Sequence, residues 1–309
     1  MKLLLIVLSA LTLWGGSIAP KVSIKTTSPV LDFVVRDFIW AGTDGGEILK
    51  IGLNGKVVST QKLDSVKNSW GESVVPKVMS LDLSPDQKTL AVATEEGRII
   101  LLKEGKKIFT SFHTYSVIKK ISYVSESKLL ITLLSNEIIW FDLHSDKTLK
   151  SISAGTSPLT DMSISKDRKL AAVTGEAGIV TLIDTQSMKI LRNIQGGNVD
   201  NVYKLDMQNG FIVTAGQDRR AIIYTIDGKR YVRYNGSFLI YSVALSPSAA
   251  RMAAAMDEYN VISVFDTADR TKITSAKGHG ATLNRIVFID EKRFISCADE
   301  NKILIWELP

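Results

Sequence analysis

Residues 278–309 read GHGATLNRIVFIDEKRFISCADENKILIWELP. Two apolar runs, Leu283–Phe288 and Arg293–Ala298, and a third that ends in Trp306-Glu307 are separated by polar turns carrying Asp290-Glu291 and Asp299-Glu300-Asn301. Apolar runs bounded by such turns predict short β-strands. Three strands in about thirty residues form a meander with two faces and two open edges. A unit of that kind cannot hide its own apolar side chains, so it needs copies of itself as neighbours.

The copies are present. Toward the N terminus, similar meanders begin near Leu239, Asn201, Leu159, Ile118, Val78 and Val30, a period of about forty residues. The turn after each first strand gives the register: Ser84-Pro85-Asp86, Ser125-Glu126-Ser127, Ser165-Lys166-Asp167, Gln208-Asn209, Ser246-Pro247-Ser248 and Asp290-Glu291. These residue types initiate turns through their short polar side chains or a fixed φ. A second marker is an acid in the turn before the third strand, at Asp44, Glu96, Glu176, Asp218, Glu258 and Glu300, and absent from the third meander. Carboxylates placed there accept backbone N–H bonds, and acids spread around a ring do not converge on one ion.

The last meander resembles a WD-repeat, the blade of a β-propeller. In that family a His, a strand Ser or Thr, a turn Asp and a strand Trp form a hydrogen-bonded relay. The resemblance puts His279, Ser296 and Trp306 in those places, with Glu300, one methylene longer, standing for the Asp. A buried imidazole and a buried indole N–H each need such a partner. Third strands elsewhere end in weaker versions of the family's Trp-Asp pair, at Trp140-Phe141-Asp142, Ile183-Asp184, Tyr224-Thr225 and Phe265-Asp266. The fifth meander keeps Thr214, Asp218 and Tyr224 at the same offsets, with no His before them. The resemblance implies an all-β, seven-bladed β-propeller.

The last meander lacks a fourth strand, whereas residues 21–27, KVSIKTT, read as a strand ahead of the first meander. Pairing this N-terminal strand onto the last blade is expected to close the ring and cover two edges that would otherwise invite aggregation.

The leading residues differ in kind. Met1-Lys2, an apolar run of about a dozen residues and the small residues Ser17 and Ala19 predict a secretory signal peptide over residues 1–19, cut between Ser17 and Ala19. An uncleaved anchor is the competing reading, although the run is short for a bilayer. One domain is expected over residues 20–309. The single cysteine, Cys297, falls in a core strand and reads as a buried thiol rather than a nucleophile.

Motifs for chemistry are sparse. His113, His144 and His279 lie far apart in the sequence, and the chain carries no Gly-x-Ser-x-Gly elbow, phosphate-binding glycine loop or Cys-x-x-Cys pair. No catalytic residue, metal or cofactor is therefore expected. Two stretches read as binding surface. One is the insertion at residues 63–77, which displays Trp70. The other is Arg230, Tyr231, Arg233 and Tyr234, basic residues alternating with tyrosines, a pattern that an outer strand with one wet face also gives. A net charge of +6, spread over the whole chain, suits acidic partners or an anionic surface, and export makes nucleic acid a poor candidate.

The expected protein is a monomeric, non-catalytic platform in the periplasm that binds another periplasmic protein and has no stable membrane insertion once its leader is cut. A leader followed by one unadorned propeller is also similar to the accessory propeller encoded with periplasmic nitrate reductases. That likeness implies a helper in assembly or electron supply, with no cofactor of its own. The alternative is a propeller hydrolase or lactonase with a divalent ion held in the central channel by acids of the innermost strands.

Overall fold

The computed structural model describes residues 16–309 apart from Ser69. Residues 1–15, which carry most of the expected leader, lie outside the described residues. The remainder is a seven-bladed β-propeller in which each blade is an antiparallel meander. The first strands of the blades are Val30–Val35, Val78–Leu83, Ile118–Ser125, Leu159–Ile164, Val202–Gln208, Val243–Leu245 and Leu283–Phe288. They ring a central axis, with the seventh packed beside the first.

Each sheet buries its apolar side chains against the next. Seven core clusters are shared by adjacent blades: Val30, Phe33 and Ile39 of blade one meet Ile295, Cys297 and Ile303 of blade seven, and Val213 and Ala215 of blade five meet Ile240 and Met252 of blade six. The middle strands are covered on both faces and read as nearly unbroken apolar runs, as in Arg293–Ala298 and Lys302–Glu307. Fourth strands form the outer wall and stay largely wet, as in Val57–Lys62.

The N-terminal strand closes the ring. Val22–Lys25 pairs antiparallel with Lys302–Glu307, with Val22 opposite Ile305 and Ile24 opposite Ile303. Ile24 is buried in the core shared by blades seven and one. Ser17–Ile18, inside the stretch read as leader, adds a fifth strand to blade six, parallel to Lys272–Ala276. Ile18 packs against the core between blades six and seven, so residues 17–25 span the outer edges of both blades.

The turn markers have a common geometry. In blades two, four and six the Ser84, Ser165 and Ser246 hydroxyls accept the N–H five residues later, at 3.0, 2.9 and 3.2 Å. The fourth turn residue, Gln87, Arg168 or Ala249, sits at φ near +60°, a conformation tolerated because the rest of the turn fixes it.

Strand register changes one equivalence. Trp306 lies opposite Phe294, and the residue in the same place in blade three is Phe141, opposite Leu129. Trp140 therefore points to the other side of its sheet, into the core with Leu159 and Met162 of blade four, and its Nε1 donates to the Thr185 carbonyl at 3.1 Å.

Candidate functional site

The blade-seven relay residues are brought together. Trp306 Nε1 donates to Ser296 Oγ at 2.7 Å, Ser296 Oγ lies 2.6 Å from His279 Nε2, and His279 Nδ1 lies 2.5 Å from Glu300 Oε1. Burial pushes the imidazole below the usual histidine range, against the pull of the Glu300 carboxylate. A neutral ring satisfies every group: Nδ1–H donates to Glu300, and Nε2 accepts the Ser296 hydroxyl, which in turn accepts the indole N–H. Glu300 also accepts the Gly280 N–H at 3.3 Å and pairs with Lys302 at 3.1 Å. These bonds fasten the blade and leave the imidazole in the wall rather than in a cleft.

Blade five holds a second relay, built around a residue that the sequence reading missed. Asn198 sits in the histidine's place: its Oδ1 accepts the Thr214 hydroxyl at 2.5 Å, and its Nδ2 donates to Asp218 Oδ1 at 3.1 Å. Its backbone N–H donates to the Tyr224 hydroxyl at 3.0 Å. The signal was Gly197-Asn198, matching Gly278-His279. A Cβ at Gly197 would collide with the Tyr224 hydroxyl, and one at Gly278 would lie 3.0 Å from the Trp306 ring. Replacing Asn198 by alanine should leave the buried Thr214 hydroxyl and the Asp218 carboxylate short of partners and cost about 2–3 kcal/mol. Chemical denaturation of the variant checks this value.

The axis is crossed by polar side chains that join blades. The innermost strand of a blade is an edge whose N–H groups face the channel, and acids or serines of the preceding blade accept them. Asp32 takes Leu81 N–H at 3.2 Å, Asp82 takes Tyr123 N–H at 2.8 Å, Asp161 takes Leu205 N–H at 3.0 Å and Asp206 takes Leu245 N–H at 3.0 Å. Asp32 also binds Lys120 Nζ at 2.6 Å and Arg285 Nη1 at 2.6 Å, so blades one, three and seven meet at one buried carboxylate. Burial alone would raise Asp32, but Arg285 and Lys120 outweigh it and hold the carboxyl well below its usual range. Burial, reinforced by repulsion from Arg285, lowers Lys120 to about 8. Arg168 reaches past blade three to Asp82, at 3.1 Å, and to the Tyr123 carbonyl.

These contacts bear on the alternative reading of a channel ion. Asp32, Asp82 and Asp206 spend their oxygens on cations and backbone donors, and among the described residues no group of three or more His, Cys, Asp or Glu is disposed to hold a metal ion. Cys297 is buried, and burial raises its thiol to about 12.

Chain direction sorts the loops onto two faces. Connections between blades and the turns between second and third strands emerge where the first strands enter the ring. The other turns emerge on the opposite face. Among the described residues, the four exposed aromatics outside strands, Trp70, Tyr115, Phe238 and Tyr259, all lie on the entry face. Trp70 is 84% exposed and Tyr115 fully so. Trp70 tips a small hairpin, Val66–Lys67 paired with Ser73–Val74, whose turn is held by Asn68 Oδ1 accepting the N–H groups of Trp70 and Glu72 at 3.0 and 2.9 Å. The hairpin is anchored through Leu63 and Val75 to the core between blades one and two.

The basic tyrosine strand lies elsewhere. Arg230, Tyr231 and Arg233 project from the outer wall of blade five, around the perimeter from the entry face. Tyr234 is corrected: it is buried, 5.2 Å from the Phe265 ring, and unavailable to a partner. Strand alternation turns it inward while its neighbours face water.

At the centre of the entry face the channel opens into a cavity of about 230 Å³ lined by residues that include Lys119, Lys204, Tyr203, Tyr241, Thr160 and Asn284. The Tyr203 and Tyr241 rings stack at 4.7 Å. No family model and no curated protein matches the chain.

Proposed function

We propose that the protein is a non-catalytic platform whose entry face docks another protein. The observation that supports this reading is the gathering of Trp70, Tyr115, Phe238 and Tyr259 on one face of a rigid ring. Exposed aromatics of this kind supply large contact area at small entropic cost and are enriched among residues that dominate binding energy. A ring whose blades are fastened to one another offers these side chains on loops anchored to a fixed frame, so little ordering accompanies docking. In an exported protein the partner is a periplasmic one, and service to a periplasmic nitrate reductase, in assembly or electron supply, is the particular role that the sequence likeness suggests.

The test is partner capture from the native periplasm. The Trp70→Ala/Tyr259→Ala double variant should retain at most about a tenth of the specific partner, given more than about 1 kcal/mol for each central aromatic. Phe211→Ala, an exposed aromatic at the opposite face, should retain all of it. Equal capture by both variants would remove the entry face from consideration.

A further inference from the structure

Lys119 and Lys204 have no hydrogen-bond or ion-pair partner among the described residues, yet both line the same axial cavity and are close enough to repel one another. Burial and this repulsion both lower Lys119. The surroundings compensate only in part: the Asp161 carboxylate pulls Lys119 the other way without outweighing them. On the axis below, Lys120 and Arg285 already share Asp32, and Asp206 is turned to backbone donors. Asp161 gives one oxygen to Leu205 N–H, and its other oxygen is buried without a partner. Two half-buried ammonium groups facing one opening are a cost in the unliganded protein that a negative group entering from the entry face would relieve.

We propose that the mouth of the channel, Lys119 and Lys204 backed by the stacked Tyr203 and Tyr241, is a receptor for a carboxylate carried on an acidic segment of the docked protein. The assignment to a protein carboxylate rests on the platform reading above. The cavity, about 230 Å³, is smaller than the roughly 300–1,000 Å³ of pockets that enclose drug-sized ligands, so it suits one side chain better than a free metabolite. Lysine ammonium groups present rotatable donors without a fixed fork, which suits a flexible carboxylate. The tyrosine stack gives the aliphatic part of an acidic side chain an apolar wall, and the exposed aromatics of the same face are there to hold the rest of the docked protein.

The full chain should be titrated calorimetrically with an end-blocked hexaglutamate peptide, with hexalysine and with inorganic phosphate. Hexaglutamate should bind, raise the melting temperature and weaken as salt rises from 50 to 200 mM, because the attraction is screened. Hexalysine should not bind. The Lys119→Gln/Lys204→Gln variant should bind hexaglutamate at least about tenfold more weakly. Without ligand it should melt no lower than the wild type, because a repelling pair has been removed, which separates lost binding from lost folding. Hexaglutamate binding that is absent, or unchanged in the lysine variant, overturns the assignment, and so does uptake of phosphate alone. The two readings fail separately. Trp70→Ala/Tyr259→Ala should keep hexaglutamate binding, and full partner capture by the lysine variant would sink the carboxylate site while leaving the platform in place.

Discussion

Asp32→Asn should be among the most damaging single substitutions in the molecule, lowering stability by about 3–5 kcal/mol and the melting temperature by roughly 10 °C. Asp32 is only 3% exposed, and its carboxylate accepts five hydrogen bonds, from Ser80, Leu81, Lys120 twice and Arg285. Asparagine keeps the shape but turns an amide toward buried Lys120 and half-buried Arg285. Arg285 cannot shed its proton, whereas Lys120 can. Lys120 in the native state titrates near 8, below its unfolded value of about 10.4. Between those values the unfolded chain holds the extra proton, so native stability rises with pH. Without Asp32 the native Lys120 loses its proton at lower pH still. The deficit of the variant should therefore be largest near pH 6 and narrow as pH approaches 8. Denaturant titrations of both proteins at pH 6, 7 and 8 measure the gap, and a constant gap would mean that Lys120 is not carrying it. The wild-type carboxylate, held low, contributes stability above pH 4 that is lost as pH falls through and below that value.

Removing residues 22–27 should be as severe. The strand Val22–Lys25 covers the outer edge of Lys302–Glu307 in full register. Its loss removes Ile24 and half-buried Val22 from the shared core, a hydrophobic loss of about 2–4 kcal/mol, together with several backbone hydrogen bonds worth about 1 kcal/mol each. A total of about 5 kcal/mol corresponds to a melting temperature lower by roughly 10–20 °C, with a bare strand edge that promotes self-association. Ile24→Glu keeps the backbone strand and should reproduce only the packing part of the loss, without the open edge. Calorimetry and light scattering on the two variants separate packing from edge protection, and an unchanged melting curve for the deletion would refute closure by this strand.

The ring was readable because each blade repeats the same local chemistry. Ser84, Ser165 and Ser246 start equivalent turns, and a strand without a partner at one end matched a blade without a strand at the other. What escaped depended on contacts that no local pattern records. Asp32 meets Lys120 and Arg285 across 88 and 253 residues of sequence, so the axial triad has no motif. Asn198 escaped for a different reason. A search keyed to histidine passes over an amide that makes the same bonds from the same backbone position. Trp140 was misplaced because a one-residue shift on a strand reverses the face, and only the pairing with Leu130 reveals it.

Ring closure also sets an order on how the molecule can be made. The strand Val22–Lys25 leaves the ribosome well before its partner Lys302–Glu307. Until that partner is made the ring carries an unsealed seam, and its closure waits for the seventh blade. A contact of such long sequence range makes folding slow. That delay leaves an interval in which a newly made chain is not yet locked.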